Sequence, residues 1–95
     1  MILGAYHFDG DPDTLLESHQ RWMQMFPPSG VDLHIAVTHE RGLTVYDACP
    51  DLPTHEAFVN SAEFRGGLEE VGLSFPTIEV VGDVHFAHMN QSVLR

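Results

Sequence analysis

Val31-Asp32-Leu33-His34-Ile35-Ala36-Val37-Thr38-His39-Glu40-Arg41-Gly42-Leu43-Thr44-Val45-Tyr46-Asp47-Ala48-Cys49 is two apolar, β-branched runs on either side of a short polar turn that ends in glycine. That is the pattern of a β-hairpin. With Glu40-Arg41 as a two-residue loop, Thr38 pairs with Leu43, Ala36 with Val45, and His34 with Asp47. Side chains alternate across a strand. One face then carries Leu33, Ile35, Val37, Thr44, Tyr46 and Ala48, and reads as ordinary core. The other carries His34, Ala36, Thr38, Val45, Asp47 and Cys49. It sets an imidazole directly opposite a carboxylate, within reach on a pleated pair.

Before the hairpin, residues 2–8 alternate as a first strand, with Gly4, Tyr6 and Phe8 on one side and Leu3, Ala5 and His7 on the other. Asp11 suits an N-cap, with Pro12 at the first helical position and Asp13 favourable to the helix dipole. Leu15, Leu16, His19, Trp22, Met23 and Phe26 follow at helical spacing. Pro27-Pro28-Ser29-Gly30 stops that helix. After the hairpin, Thr54 is placed to cap a second helix with Ala57 and Phe58 inward, and Ser61 to cap a third segment burying Phe64, Leu68 and Val71. Gly66-Gly67 inside that segment signals a close contact or a fray. Residues 78–86 form the last strand, with Ile78 and Val80 on one face and Glu79, Val81, Asp83 and His85 on the other.

The order βαββαβ, with two right-handed crossovers around a central hairpin, specifies an α+β ferredoxin-like fold. Its four-stranded antiparallel sheet runs 4-1-3-2, with helices on one face, in a single domain spanning 1–95. With β1 and β3 taken to run one way and β2 and β4 the other, His7, His34, Asp47 and Glu79 fall at one end of one sheet face. Ala5, Ala36, Val45, Cys49, Val81 and His85 line the rest of that face. Such a mixed face suits closure by a second copy around a small-molecule cavity.

Composition narrows the function classes. Four basic against fourteen acidic residues give a net charge of −10, which repels nucleic acid and anionic membrane. No apolar run reaches the roughly 20 residues of a membrane helix. The start, Met1 to His7, lacks the basic region and cleavage site of a signal peptide. One cysteine excludes an internal disulfide and fits a reducing cytoplasm.

Val45-Tyr46-Asp47-Ala48-Cys49, Glu56-Ala57-Phe58 and Ser61-Ala62-Glu63-Phe64 are similar to a strand, helix and turn pattern of the dimeric α/β-barrel superfamily. That superfamily includes antibiotic-biosynthesis monooxygenases and small polyketide cyclases. The resemblance covers residues 2–86 and implies a homodimer whose sheets face each other. It implies a substrate, aromatic or polyketide-like, held between each sheet and its helices or partner. Cys49 stands where the monooxygenase branch often has an aromatic, and Phe58 where it has a histidine. The haem-degrading branch has its iron-ligating histidine at the place of Leu68, which cannot ligate iron.

Three function classes follow. The favoured one is a cofactor-independent cyclase or monooxygenase. His34 abstracts or relays a proton, Asp47 orients it, and His7 hydrogen-bonds a developing enolate or phenolate. The second is a metal-dependent enzyme or metal-binding protein, with His7, His34, Asp47 and Glu79 holding zinc, iron or copper. The third is a non-catalytic ligand-binding or assembly module, in which His34→Ala leaves function intact while dimer-breaking changes do not. His19 reads as a core or interface histidine, and His39 and His55 as surface residues.

Overall fold

A computed structural model describes residues 1–26 and 32–89; Val31 and the Pro27–Gly30 helix stop lie outside the described residues. The first strand, β1 (Ile2–Asp9), leads through a tight turn into α1 (Pro12–Met25). The cap is the expected one: Asp11 accepts from the Thr14 amide at 2.9 Å, with proline in the first turn. The hairpin is β2 (Leu33–His39) and β3 (Gly42–Cys49), with Thr38 opposite Leu43, Ala36 opposite Val45, and His34 opposite Asp47. Gly42 is required where the chain re-enters the sheet. Its φ is +148°, and a side chain there would collide with the Phe8 carbonyl.

The second helix, α2 (Leu52–Val59), starts three residues earlier than Thr54 would dictate, because Asp51 is the cap and accepts from the Thr54 amide at 2.8 Å. That shift turns His55, Phe58 and Val59 inward and leaves Ala57 exposed. The third helix, α3 (Ala62–Glu70), is capped by Ser61 as expected. The chain ends its regular structure in β4 (Thr77–Asp83).

The sheet order is β2-β3-β1-β4, the expected arrangement, and every neighbouring pair is antiparallel. One core joins sheet to helices: Tyr6, Phe8, Leu43 and Val45 from the strands meet Phe64 and Leu68 of α3, with Val71 and Leu73 behind.

Two expectations are corrected by this register. Since β1 is antiparallel to β3, β1 runs with β2 and β3 with β4. His34 and Asp47 are therefore in the row of Gly4, His7 lies three residues further along β1 toward the other end, and Glu79 is between them, opposite Ala5. The hairpin also presents its other side to the helices. Tyr6 pairs with Val45 and Phe8 with Leu43, and paired residues share a face. His34, Ala36, Val45, Asp47 and Cys49 therefore lie on the helix side. Leu33, Ile35, Val37, Thr44, Tyr46 and Ala48 lie on the open side with Leu3, Ala5 and His7.

The physical reason for the inversion is that β3 is the second of four strands and is buried almost throughout, so alternation does not mark its inner face. β2 is an edge strand, and its branched residues Ile35 and Val37 remain 36% and 41% exposed on the open face.

Candidate functional site

His34 sits near the start of β2 and Asp47 near the end of β3, and antiparallel pairing puts them side by side. The His34 Nδ1–H donates to Asp47 Oδ1 at 2.5 Å. Asp47 is only 5% exposed. A buried carboxylate is retained where a charge-assisted hydrogen bond holds it.

The pair points toward α1, which brings a third member. His19 lies four residues after Leu15 and three before Trp22, so it shares their inward stripe, and it is buried. Its Nε2 is 3.0 Å from His34 Nε2. The two rings lie within 9° of parallel with centroids 5.2 Å apart. Those three values together require the rings to meet edge to edge in nearly one plane, not face to face. One proton therefore sits between two nitrogens. Asp47, His34 and His19 form a single hydrogen-bonded line from β3 to α1. Burial above all, then the neighbouring His34, pushes the His19 pKa down to about 4, with Asp47 opposing. His19 is neutral near pH 7.

On the other side of Asp47 the neighbouring strand presents Gly4, and beyond it Val80. The missing side chain of Gly4 is filled by His55 of α2, since a Cβ there would lie 2.7 Å from His55 Cε1. The Tyr6 hydroxyl and His55 Nδ1 are hydrogen-bonded at 3.4 Å. Burial first, then the charges of Asp47 and Cys49, hold the Tyr6 phenol protonated. The Cys49 thiol is likewise pushed up by burial and by Asp47, Asp32 and Asp51, so it is a poor nucleophile.

The expected convergence of four side chains does not occur. His7 is on the open face, where it bonds Thr44 Oγ1 through Nδ1 and Glu79 Oε1 through Nε2, both at 3.0 Å. His39 Nε2 meets the same Thr44 hydroxyl at 2.9 Å. The metal set His7, His34, Asp47 and Glu79 is thus split between two faces. Among the described residues, no three His, Cys, Asp or Glu side chains are grouped to hold an ion. The expected pocket lining divides too. Ala36, Val45 and Cys49 are on the helix side with His34 and Asp47. Ala5 and Glu79 are on the open side, Val81 is the unpaired residue where the β1–β4 register shifts, and His85 lies past β4, exposed. His7 borders a shallow cleft of about 210 Å³ at the far end of β1, with Asp9, Phe75 and Thr77.

Two residues of the helix-side site escape a reading of the strands alone. His19 was recoverable from its place on the α1 stripe. His55 was not, because its inward turn depends on Asp51 taking the cap from Thr54. Comparison with protein-family models, curated proteins and solved structures finds no match to this chain.

Proposed function

We propose that this chain is a small-molecule enzyme that moves protons in the layer between its sheet and α1. In this reading it is a cofactor-independent cyclase or monooxygenase acting on an aromatic or polyketide-like substrate. The observation that carries the reading is the Asp47–His34–His19 line. A buried carboxylate that accepts from Nδ1–H fixes the tautomer of His34 and leaves Nε2 as its basic nitrogen, which is how an imidazole is set up as a general base. His34 abstracts or relays the proton and Asp47 orients it. The role of binding an enolate does not pass to His7, which faces away. The substrate class rests on the resemblance of the Val45–Cys49 strand and the segments after it.

The same reading makes the protein a cytoplasmic homodimer. A second copy laid on the open face would cover the part-exposed Ile35 and Val37. The free Cys49 is consistent with a reducing compartment.

The test is deuterium exchange into weakly acidic C–H groups of a panel of aryl ketones and 1,3-diketones, followed by NMR. Exchange above the buffer rate is expected in the native protein. His34→Asn and Asp47→Asn should lower it by about 10²-fold or more. A native rate equal to buffer across the panel overturns the reading.

A further inference from the structure

Both ring nitrogens of His34 are already engaged, Nδ1 with Asp47 and Nε2 with His19. A substrate proton cannot reach either nitrogen while the line stays intact. Among the described residues nothing hydrogen-bonds His19 Nδ1, and no buried side-chain nitrogen or oxygen lacks a partner. Among the described residues His19 Nδ1 is therefore the one end of the line that no hydrogen bond occupies, on a ring that is 6% exposed.

We propose, on the basis of the acid–base reading above, that His19 is the catalytic residue that meets the substrate and that His34 stores the proton behind it. At rest Asp47 is a carboxylate, His34 carries its proton on Nδ1, and His19 carries its proton on Nε2, donated to His34 Nε2. The substrate gives a proton to His19 Nδ1. In the same movement the proton on His19 Nε2 crosses 3.0 Å to His34 Nε2. The substrate is left as a carbanion or enolate, His34 becomes an imidazolium beside Asp47, and His19 is again neutral, now in its Nδ1–H form. Reversal returns a proton to the next intermediate, so one line serves as base and then acid. The arrangement also separates two demands. Burial keeps His19 uncharged where it meets the substrate, and the positive charge forms where a carboxylate stabilises it.

Histidine-selective ¹⁵N NMR of the native protein through the titration of His34 tests this without a substrate. The expected result is that His19 stays neutral and switches from the Nε2–H to the Nδ1–H tautomer in step with His34 gaining charge. A His19 that keeps one tautomer throughout, or that itself becomes the imidazolium, overturns the relay. Exchange kinetics add a second arm, with His19→Gln chosen because glutamine can still donate to His34 but cannot pass a proton. His19→Gln should lose exchange to the extent of His34→Asn, about 10²-fold. If His34→Asn abolishes exchange and His19→Gln does not, the relay fails and the acid–base reading stands. If neither variant matters, the acid–base reading itself fails.

Discussion

His19 ties the site to stability through pH. Its folded pKa of about 4 lies below the roughly 6.5 of an unfolded histidine. Between those values the unfolded chain takes up a proton that the folded chain refuses. The contribution is thus fully present above about pH 6.5 and is lost as pH falls toward 4. After allowance for solvent screening its size is about 2 kcal/mol. Urea unfolding of the native protein against His19→Gln should show the native curve falling more steeply across that window; parallel curves would contradict it. Gly4 gives a second prediction. A methyl there would displace His55 from its place beside Tyr6, so Gly4→Ala should cost about 1–3 kcal/mol in denaturant unfolding. The His34–Asp47 contact was legible in the sequence, because a two-residue loop pins the hairpin register. Which side of the sheet it faced was not, since β3 is apolar on both sides and only pairing with Tyr6 and Phe8 decides it.

The helices show how one capping residue redirects a side chain. Asp51 rather than Thr54 caps α2, and with that start His55, not Ala57, is on the inner face. The sequence pattern points to Thr54 as the cap, whereas Asp51 accepts from the Thr54 amide and caps the helix instead. The paired glycines of α3 divide in the same way. A Cβ on Gly67 would stand 3.0 Å from Trp22 Nε1, whereas nothing lies within 4 Å of one on Gly66. Gly66→Ala should therefore stabilise the fold by about 0.5–1 kcal/mol, the ordinary helical gain over glycine, in thermal or urea unfolding. Gly67→Ala should give less than that or a loss, because α1 must yield. Equal gains at both positions would mean that Trp22 does not pack against α3 as described.

At the scale of the molecule, connection rules sufficed for the strand order, since two β-α-β crossovers around a hairpin leave few alternatives. The candidate site was harder, because it depended on direction and face together. Reversing β3 relative to β1 moves Asp47 to the row of Gly4, three residues from His7 along β1, and turning the hairpin over moves it to the opposite face. The proposed dimer would form on the open face. Sedimentation should show a dimer at micromolar concentration, and Val37→Asp should shift it to a folded monomer; a native monomer would exclude that assembly. The helix-side placement of the chemistry is tested most directly by one comparison of deuterium exchange rates into an aryl ketone, His34→Asn against His7→Gln. The expected result is a loss of about 10²-fold for His34→Asn and a native rate for His7→Gln. Loss in His7→Gln with exchange retained in His34→Asn would contradict it and move the reaction to the other side of the sheet.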